Sequence, residues 1–172
     1  MSEERQTHRV LTKFKFNDKI IEKAGGARIY RDTTLLTPGS WSDSLGMSEV
    51  EYTPEELKKS AKHWDANYLN IDHNWGVLSR IGHIENTHWS DNAVKGDLYI
   101  YPITNTSRDT IALIDAKLIN ELSVELMSRD VWKSEDTKRY ATEITYMGAA
   151  VVTMGACRET KIQEDDTYKR IK

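Results

Sequence analysis

One short run of this chain, residues 121–126, alternates strictly between polar and apolar side chains. A period of two predicts a half-buried β-strand, because successive side chains of a strand point to opposite faces of the sheet. The apolar set then lies on the inner face: Leu122, Val124 and Leu126. The polar set lies on the outer face: Glu121, Ser123 and Glu125.

Ser123 is the candidate nucleophile of this strand. A serine hydroxyl on a rigid strand can attack a carbonyl group when a base reaches it. His73 follows the strand-like run Tyr68-Leu69-Asn70-Ile71-Asp72, and Glu143 lies in a second such run, residues 141–147. These two are the candidate base and carboxylate. Serines on strands are common, so the spacing alone does not establish catalysis.

The composition argues against several classes of function. The chain has 172 residues, with 24 basic and 27 acidic side chains and a net charge of −3. This balance offers no support for a nucleic-acid surface or a polybasic membrane patch. No apolar run approaches the length of about 18 residues that spans a membrane, and the first residues lack the apolar core of a signal peptide. The single cysteine, Cys157, fits a reducing compartment. We expect a soluble, intracellular protein.

Polarity along the chain predicts three parts. Residues 1–12 form a polar N-terminal arm, residues 13–157 form one folded domain, and residues 158–172 form a charged, mobile tail. The tail has scarcely any apolar content, so we expect folding not to depend on it.

Local patterns predict the elements of the folded domain. Helices begin at Thr53-Pro54-Glu55-Glu56 and at Thr106-Ser107-Arg108-Asp109. Residues 81–88 and 93–101 are the two arms of a hairpin. The sequential strands need no long crossover. They therefore predict an α+β fold with a mostly antiparallel, β-barrel-like sheet flanked by two or three short helices.

Three separated segments form a pattern when they are taken in order. The first is Leu69-Asn70-Ile71-Asp72-His73, followed by Ile81-Gly82-His83-Ile84-Glu85 and the hairpin partner Gly96-Asp97-Leu98-Tyr99-Ile100. The second is the alternating strand with Ser123, preceded by a helix. The third is Thr142-Glu143-Ile144-Thr145-Tyr146-Met147-Gly148-Ala149-Ala150. With these segments the chain resembles the prohead (capsid-maturation) proteases of tailed viruses, which share the assemblin-type serine protease fold of herpesviruses.

The resemblance implies a function and a site. It implies an assemblin-like serine endopeptidase with Ser123 as nucleophile, His73 as base and Glu143 as the third member of the triad. Its substrates would be the major capsid protein, the scaffold protein and its own chain, inside the prohead in the host cytoplasm. We expect no cofactor or metal and, from the charge balance, neither a nucleic-acid nor a membrane partner; a homo-oligomer is left open.

Alternatives remain at the level of sequence. Asp72 is a rival for the carboxylate role, although strand alternation would point it away from His73. Arg129 could contribute to an oxyanion hole. The chain could instead be an inactive capsid-scaffold or assembly domain with a protease-like fold, and a thiol hydrolase built on Cys157 is a weaker reading.

Two further residue sets have ordinary explanations. Four histidines invite a metal hypothesis, but their spacing matches no common zinc motif: His63, His73, His83 and His88. Surface positions explain His63, His83 and His88 better. Four tryptophans could line a peptide groove, although core or sheet-edge packing is the commoner use: Trp41, Trp64, Trp75 and Trp89.

Overall fold

The computed structural model describes residues 6–13, 20–22, 26–42, 49–135 and 137–152. Strands make up most of these ranges: β1 (Gln6–Lys13), β2 (Ile20–Glu22), β3 (Arg28–Leu36), β4 (Gly39–Ser42), β5 (Glu49–Tyr52), β6 (Trp64–Ile71), β7 (Arg80–Ser90), β8 (Ala93–Ile100), β9 (Glu121–Lys133) and β10 (Lys138–Val152). Two α-helices, α1 (Pro54–Ser60) and α2 (Asn105–Asp115), and a 3₁₀ turn at Val77–Ser79 complete the described part.

The ten described strands form one curled sheet, a half-barrel. Its main path runs β1-β9-β10-β6-β7-β8-β3-β2, and β5 joins β4 to β10. The sheet is mixed, which corrects the expectation of a mostly antiparallel one in part: β10 pairs in parallel with both β5 and β6. Parallel neighbours need a long connection. The chain between β6 and β10 provides one, since it contains the β7–β8 hairpin, α2 and β9.

The helices begin close to their predicted starts. Thr53 caps α1, because its side chain accepts a hydrogen bond from the Glu56 amide, and Pro54 occupies the first turn. Helix α2 has a capping box between Thr104 and Ser107 and starts one residue earlier than predicted. The apolar spacing of Leu57, Ala61 and Trp64 would continue α1 to Trp64, but the helix ends at Ser60 and Trp64 opens β6.

The hairpin of β7 and β8 forms as predicted. Its turn residues Asp91 and Asn92 have φ angles of +49° and +56°, as a tight hairpin turn requires. Residues 33–47 are rich in threonine, serine, proline and glycine, a composition typical of a loop, but β3 continues to Leu36 and Gly39–Ser42 forms β4.

The N-terminal part differs from the expected loose arm. Residues 6–13 form β1, which pairs antiparallel with β9 over its whole length. This pairing satisfies backbone groups along an edge of β9 that would otherwise be exposed. The predicted tail, residues 158–172, and Cys157 lie outside the described residues.

The core lies on the predicted inner face of β9. Leu122, Val124 and Leu126 are fully buried in it. The opposite face of β9 was expected to be exposed, yet Ser123 is only 4% exposed and Glu125 only 2%. Both faces of this strand are therefore covered, and the polar face holds the candidate site.

Candidate active site

His73 lies in a tight turn that follows β6. The Asn74 amide donates to the Ile71 carbonyl over 2.9 Å, which closes a four-residue turn. The two central residues, Asp72 and His73, have φ angles of +49° and +55°, a conformation that costs energy in residues with a side chain. The Asp72 amide also donates to the Val151 carbonyl of β10 over 3.0 Å. The turn is thus attached to the centre of the sheet.

The His73 ring hydrogen-bonds to a buried carboxylate. Its Nδ1 atom contacts Glu125 Oε1, and the side chains of His73 and Glu125 are 14% and 3% exposed. The Tyr68 hydroxyl donates to the other carboxylate oxygen, Glu125 Oε2. Because Glu125 binds Nδ1, the Nε2 atom is the ring nitrogen left to face a reacting group.

Ser123 lies two residues before Glu125 on the same strand. Period two puts both side chains on one face of β9, and β10 and β6 place Ala150 and Asn70 in the same row as Ser123. Two residues of a strand span about 6.6 Å. On this face of β9, Glu125 contacts His73 and Ser123 is the next side chain along the strand.

Tyr68 reaches Glu125 across an intervening strand. Tyr68 is on β6 and Glu125 on β9, and β10 runs between them with Gly148 in the same row. A Cβ atom on Gly148 would lie 2.6 Å from the Tyr68 ring carbons, which is closer than real contacts allow. The absence of a side chain at Gly148 is what lets the tyrosine ring lie over β10.

Two side chains from the segment after His73 pack on the tyrosine ring. The Trp75 ring meets it edge-on at 5.0 Å between centroids. The Arg80 guanidinium lies 4.9 Å from the ring centroid, and Arg80 Nε donates to Asn70 Oδ1 over 3.4 Å. The site therefore combines a histidine–carboxylate pair, a buried serine on the carboxylate's strand and one arginine beside the tyrosine ring.

Comparison with known proteins adds one finding. No protein-family model and no curated protein matches the chain. Among solved structures, the chain is similar to the bacteriophage T4 capsid assembly protease, gp21. The two chains are 12% identical, the match covers 86% of this chain and 98% of that one, and the TM-score is 0.59. The chain has the fold of this phage protease.

The likeness to the T4 protease concerns the fold, and it agrees with the family resemblance seen in the sequence.

The described part of the chain contains no helix that is long and apolar enough to cross a membrane.

In this chain, Glu143 lies far from His73. Glu143 is eight residues before Val151, the β10 residue that binds the His73 turn, which is roughly 26 Å along a strand. Its side chain is 52% exposed and pairs with Arg129 over 3.4 Å. The cause is a β-bulge between Thr142 and Thr145, where Glu143 has a φ of +50°. The contact expected between Glu143 and His73 is replaced by the contact between Glu125 and His73.

The other sequence candidates also have defined places. Arg129 lies six residues beyond Ser123 on β9, roughly 20 Å away, so it is not positioned as an oxyanion donor. Asp72 is in the turn itself, and its side chain is exposed. Among the described residues, no group of three or more histidine, cysteine or acidic side chains could hold a metal ion.

The histidines and tryptophans divide between packing and surface. His83 contacts Glu85 over 2.9 Å, and His88 contacts Asp32 over 3.3 Å. Three tryptophans pack against the core: Trp41, Trp64 and Trp89. Trp75 is 55% exposed and lies beside the site.

Sequence reasoning missed Glu125 and Tyr68. The signal for Glu125 was present, because the same alternation that places Ser123 on the outer face of β9 places Glu125 there too. Tyr68 gave no comparable signal, since its reach depends on the order of β9, β10 and β6 and on Gly148.

Proposed function

We propose that this protein is a serine endopeptidase of phage capsid assembly, with Ser123 as nucleophile, His73 as general base and Glu125 as the carboxylate that orients His73. One observation carries the proposal. His73 is hydrogen-bonded to a buried carboxylate that stands two residues from a buried serine, on the same face of the same strand. The fold of a capsid assembly protease supports the choice of reaction.

The chemistry follows from these roles. The Ser123 hydroxyl attacks the carbonyl carbon of the scissile peptide bond, and Nε2 of His73 accepts the hydroxyl proton. Glu125 keeps the other ring proton on Nδ1 and stabilises the imidazolium that forms. His73 then donates its proton to the leaving amine, the peptide C–N bond breaks, and the substrate's acyl group remains on Ser123.

The second half of the reaction reverses these roles. His73 accepts a proton from water, the hydroxide attacks the acyl group, and Ser123 regains its proton as the ester bond breaks. All proton transfers use side chains of the chain itself, so this chemistry requires no metal or cofactor.

The proposed substrates are the capsid and scaffold proteins, together with the chain itself, inside the prohead. Confinement there raises the effective concentration of each substrate near the enzyme, which favours cleavage of chains that bind weakly in dilute solution.

A fluorophosphonate probe tests the mechanism. We expect the purified protein to react at Ser123, with the adduct located by mass spectrometry, and we expect Ser123→Ala and His73→Gln to abolish labelling. Ser128→Ala is the matched control, because Ser128 is a buried serine on the same strand whose hydroxyl donates to Asp130 over 2.8 Å. Labelling that persists in Ser123→Ala would contradict the proposed nucleophile.

Co-expression tests the substrates. The chain is produced with the shell and scaffold proteins of its own virus, either as wild type or as Ser123→Ala. We expect shell-protein cleavage and self-cleavage in the wild type and neither in the variant. Normal capsid assembly without any cleavage in both cases would instead favour the inactive assembly domain.

A further inference from the structure

We propose that Tyr68 is a positioning residue for the histidine–carboxylate pair, holding Glu125 in the orientation in which it binds His73 Nδ1. This inference rests on the proposed function, in which His73 is the base. It adds a fourth residue, from a different strand, that does not itself touch the substrate.

The contacts of the carboxylate carry the first step. Each oxygen of Glu125 has its own donor: His73 Nδ1 binds Oε1, and the Tyr68 hydroxyl binds Oε2. The terminal torsion of a glutamate is broad and turns easily, so one hydrogen bond does not define the plane of the carboxylate. A second hydrogen bond from a fixed donor does, and it therefore sets the direction in which Oε1 meets the histidine.

The donor is itself fixed. Tyr68 is 4% exposed, and its ring lies over Gly148, where a side chain would collide with it. Trp75 contacts the ring edge and Arg80 lies over its face. Few rotamers remain to a ring enclosed in this way, so its hydroxyl is held close to one position.

The charged groups around Glu125 are the second observation. Glu125 is a buried carboxylate that faces His73 and Tyr68, while Arg9 of β1 is its register partner and Arg80 stands beyond the tyrosine ring. Asp72 lies in the same turn as His73. The Tyr68 hydroxyl stabilises the ionised carboxylate without adding a full charge.

Removing that hydrogen bond changes proton binding in a defined direction. Without the second donor the carboxylate turns more freely, so Oε1 meets Nδ1 less directly and the imidazolium loses part of its stabilisation. The His73 ring would then bind its proton less tightly than in the wild type.

The test compares two tyrosine-to-phenylalanine variants. Tyr68→Phe removes only the hydroxyl and keeps the ring. Tyr146→Phe is the matched control, because Tyr146 is a buried tyrosine whose hydroxyl bonds to Ser60 over 3.1 Å, away from Glu125. Two readouts are followed over pH: protonation of the His73 ring by NMR, assigned with His73→Gln, and the rate of fluorophosphonate labelling of Ser123.

In Tyr68→Phe we expect the midpoint of ring protonation to fall by about 0.5–1 pH unit, with the acid limb of the labelling rate following it. In Tyr146→Phe neither midpoint should move. Midpoints that stay unchanged or rise in a folded Tyr68→Phe protein would overturn the role of Tyr68. If that variant does not fold, Trp75→Ala decides by the same readouts, since it loosens the ring from its exposed side; a fall supports the role, and an unchanged or raised midpoint overturns it.

The two proposals fail in different ways. NMR of the ring needs no activity, so a shifted midpoint without any labelling of wild-type Ser123 would support the Tyr68 contact while rejecting the serine mechanism. Normal labelling with no shift in Tyr68→Phe would keep the mechanism and reject the positioning role.

Discussion

Glu125 illustrates how one residue can be identified from two patterns at once. The alternation that exposes Ser123 to one face of β9 carries Glu125 to the same face, and burial of that face removes the carboxylate from water. A buried carboxylate needs a donor or a positive partner, and His73 and Tyr68 are the residues that bind it. Glu125 is therefore recognised as the carboxylate of the site by its burial and its partners, and not by its position in the sequence.

The buried Glu125 and the exposed Glu143 give a first prediction. Glu125→Gln should leave the fold intact but lower the rate of fluorophosphonate labelling at Ser123 by a factor of about 10²–10⁴, because the amide carries no charge and permits the wrong tautomer of His73. Glu143→Gln is the matched control, since its exposed carboxylate contacts only a surface arginine in the described structure, and it should label like the wild type. The reverse result would restore Glu143 to the triad.

At this scale the sequence predicted Ser123 and His73 as candidates but assigned the third position to Glu143. Ser123 lies in a regular strand, where the alternation of polar and apolar residues predicts which face of the sheet each side chain occupies. Glu143 lies at a bulge, where one extra residue changes the face that each later side chain occupies. No local pattern in the sequence marks this bulge, so the face of Glu143 could not be deduced.

Two other bulges share a single buried carboxylate. Asp97 of β8 accepts hydrogen bonds from Arg31 Nη1 at 2.8 Å, from the Asp32 amide at 2.9 Å and from Asn86 Nδ2 at 2.8 Å. Asp32 and Asn86 both have positive φ, at the register shifts of β3 and β7. Asp97 therefore holds the irregular points of both strands that flank β8.

A second prediction follows for these strands. Asp97→Asn should lower the free energy of unfolding by about 2 kcal/mol, because the amide loses the charge and turns two donor hydrogens toward donors. Urea denaturation measures the change. Asp91→Asn, at an exposed carboxylate of the β7–β8 turn, is the control and should leave the urea midpoint nearly unchanged. Equal effects of the two substitutions would contradict the role of Asp97.

Strand β10 offers a third prediction. Gly148→Ala should destabilise the protein by about 1–3 kcal/mol, since the new methyl group would lie 2.6 Å from the Tyr68 ring and from its backbone oxygen. It should also slow labelling of Ser123, because the ring must leave Glu125. Gly76→Ala, in the exposed turn where the nearest atom is an Asn74 side-chain oxygen at 3.0 Å, is the comparison and should cost less stability. Full activity in Gly148→Ala would show that Tyr68 need not cross β10.

At the scale of the whole molecule, the ionisation of buried tyrosines makes the free energy of unfolding depend on pH. Burial raises the pKa of the Tyr146 hydroxyl well above its ordinary value of 10.0, and the hydrogen bond with Ser60 offsets only part of that rise. Burial, followed by the hydrogen bond to Asp115, also raises the pKa of Tyr30. Above about pH 10 the unfolded chain loses these protons while the folded protein keeps them.

The fourth prediction follows from this sign. The free energy of unfolding should fall as pH rises above about 10, and each such tyrosine should contribute up to about 1.4 kcal/mol per pH unit. Tyr146→Phe removes one contribution, so its stability should fall less steeply than that of the wild type. Urea midpoints measured from pH 8 to pH 11 test this, and parallel curves would contradict it.

The global arrangement was only partly predictable. Capping residues and alternation are local, so both helix starts and the hairpin could be deduced from them. The pairing of β6 with β10 is not local, because the two strands are separated by the hairpin, α2 and β9. Whether such strands run parallel depends on the path between them, and a period of two is the same for both directions. The mixed sheet therefore required the structure.

Ser123 and Glu125 are joined by a single residue of one strand, whereas His73 comes from a turn elsewhere in the chain. In mechanical terms, the backbone of two members of the proposed triad is one rigid part, and the turn that carries His73 is a second part. A substitution that leaves β9 a strand preserves the backbone spacing of Ser123 and Glu125. A distant substitution can then stop catalysis in two ways: it moves the turn and so carries His73 away from β9, or it frees the Glu125 carboxylate from Tyr68.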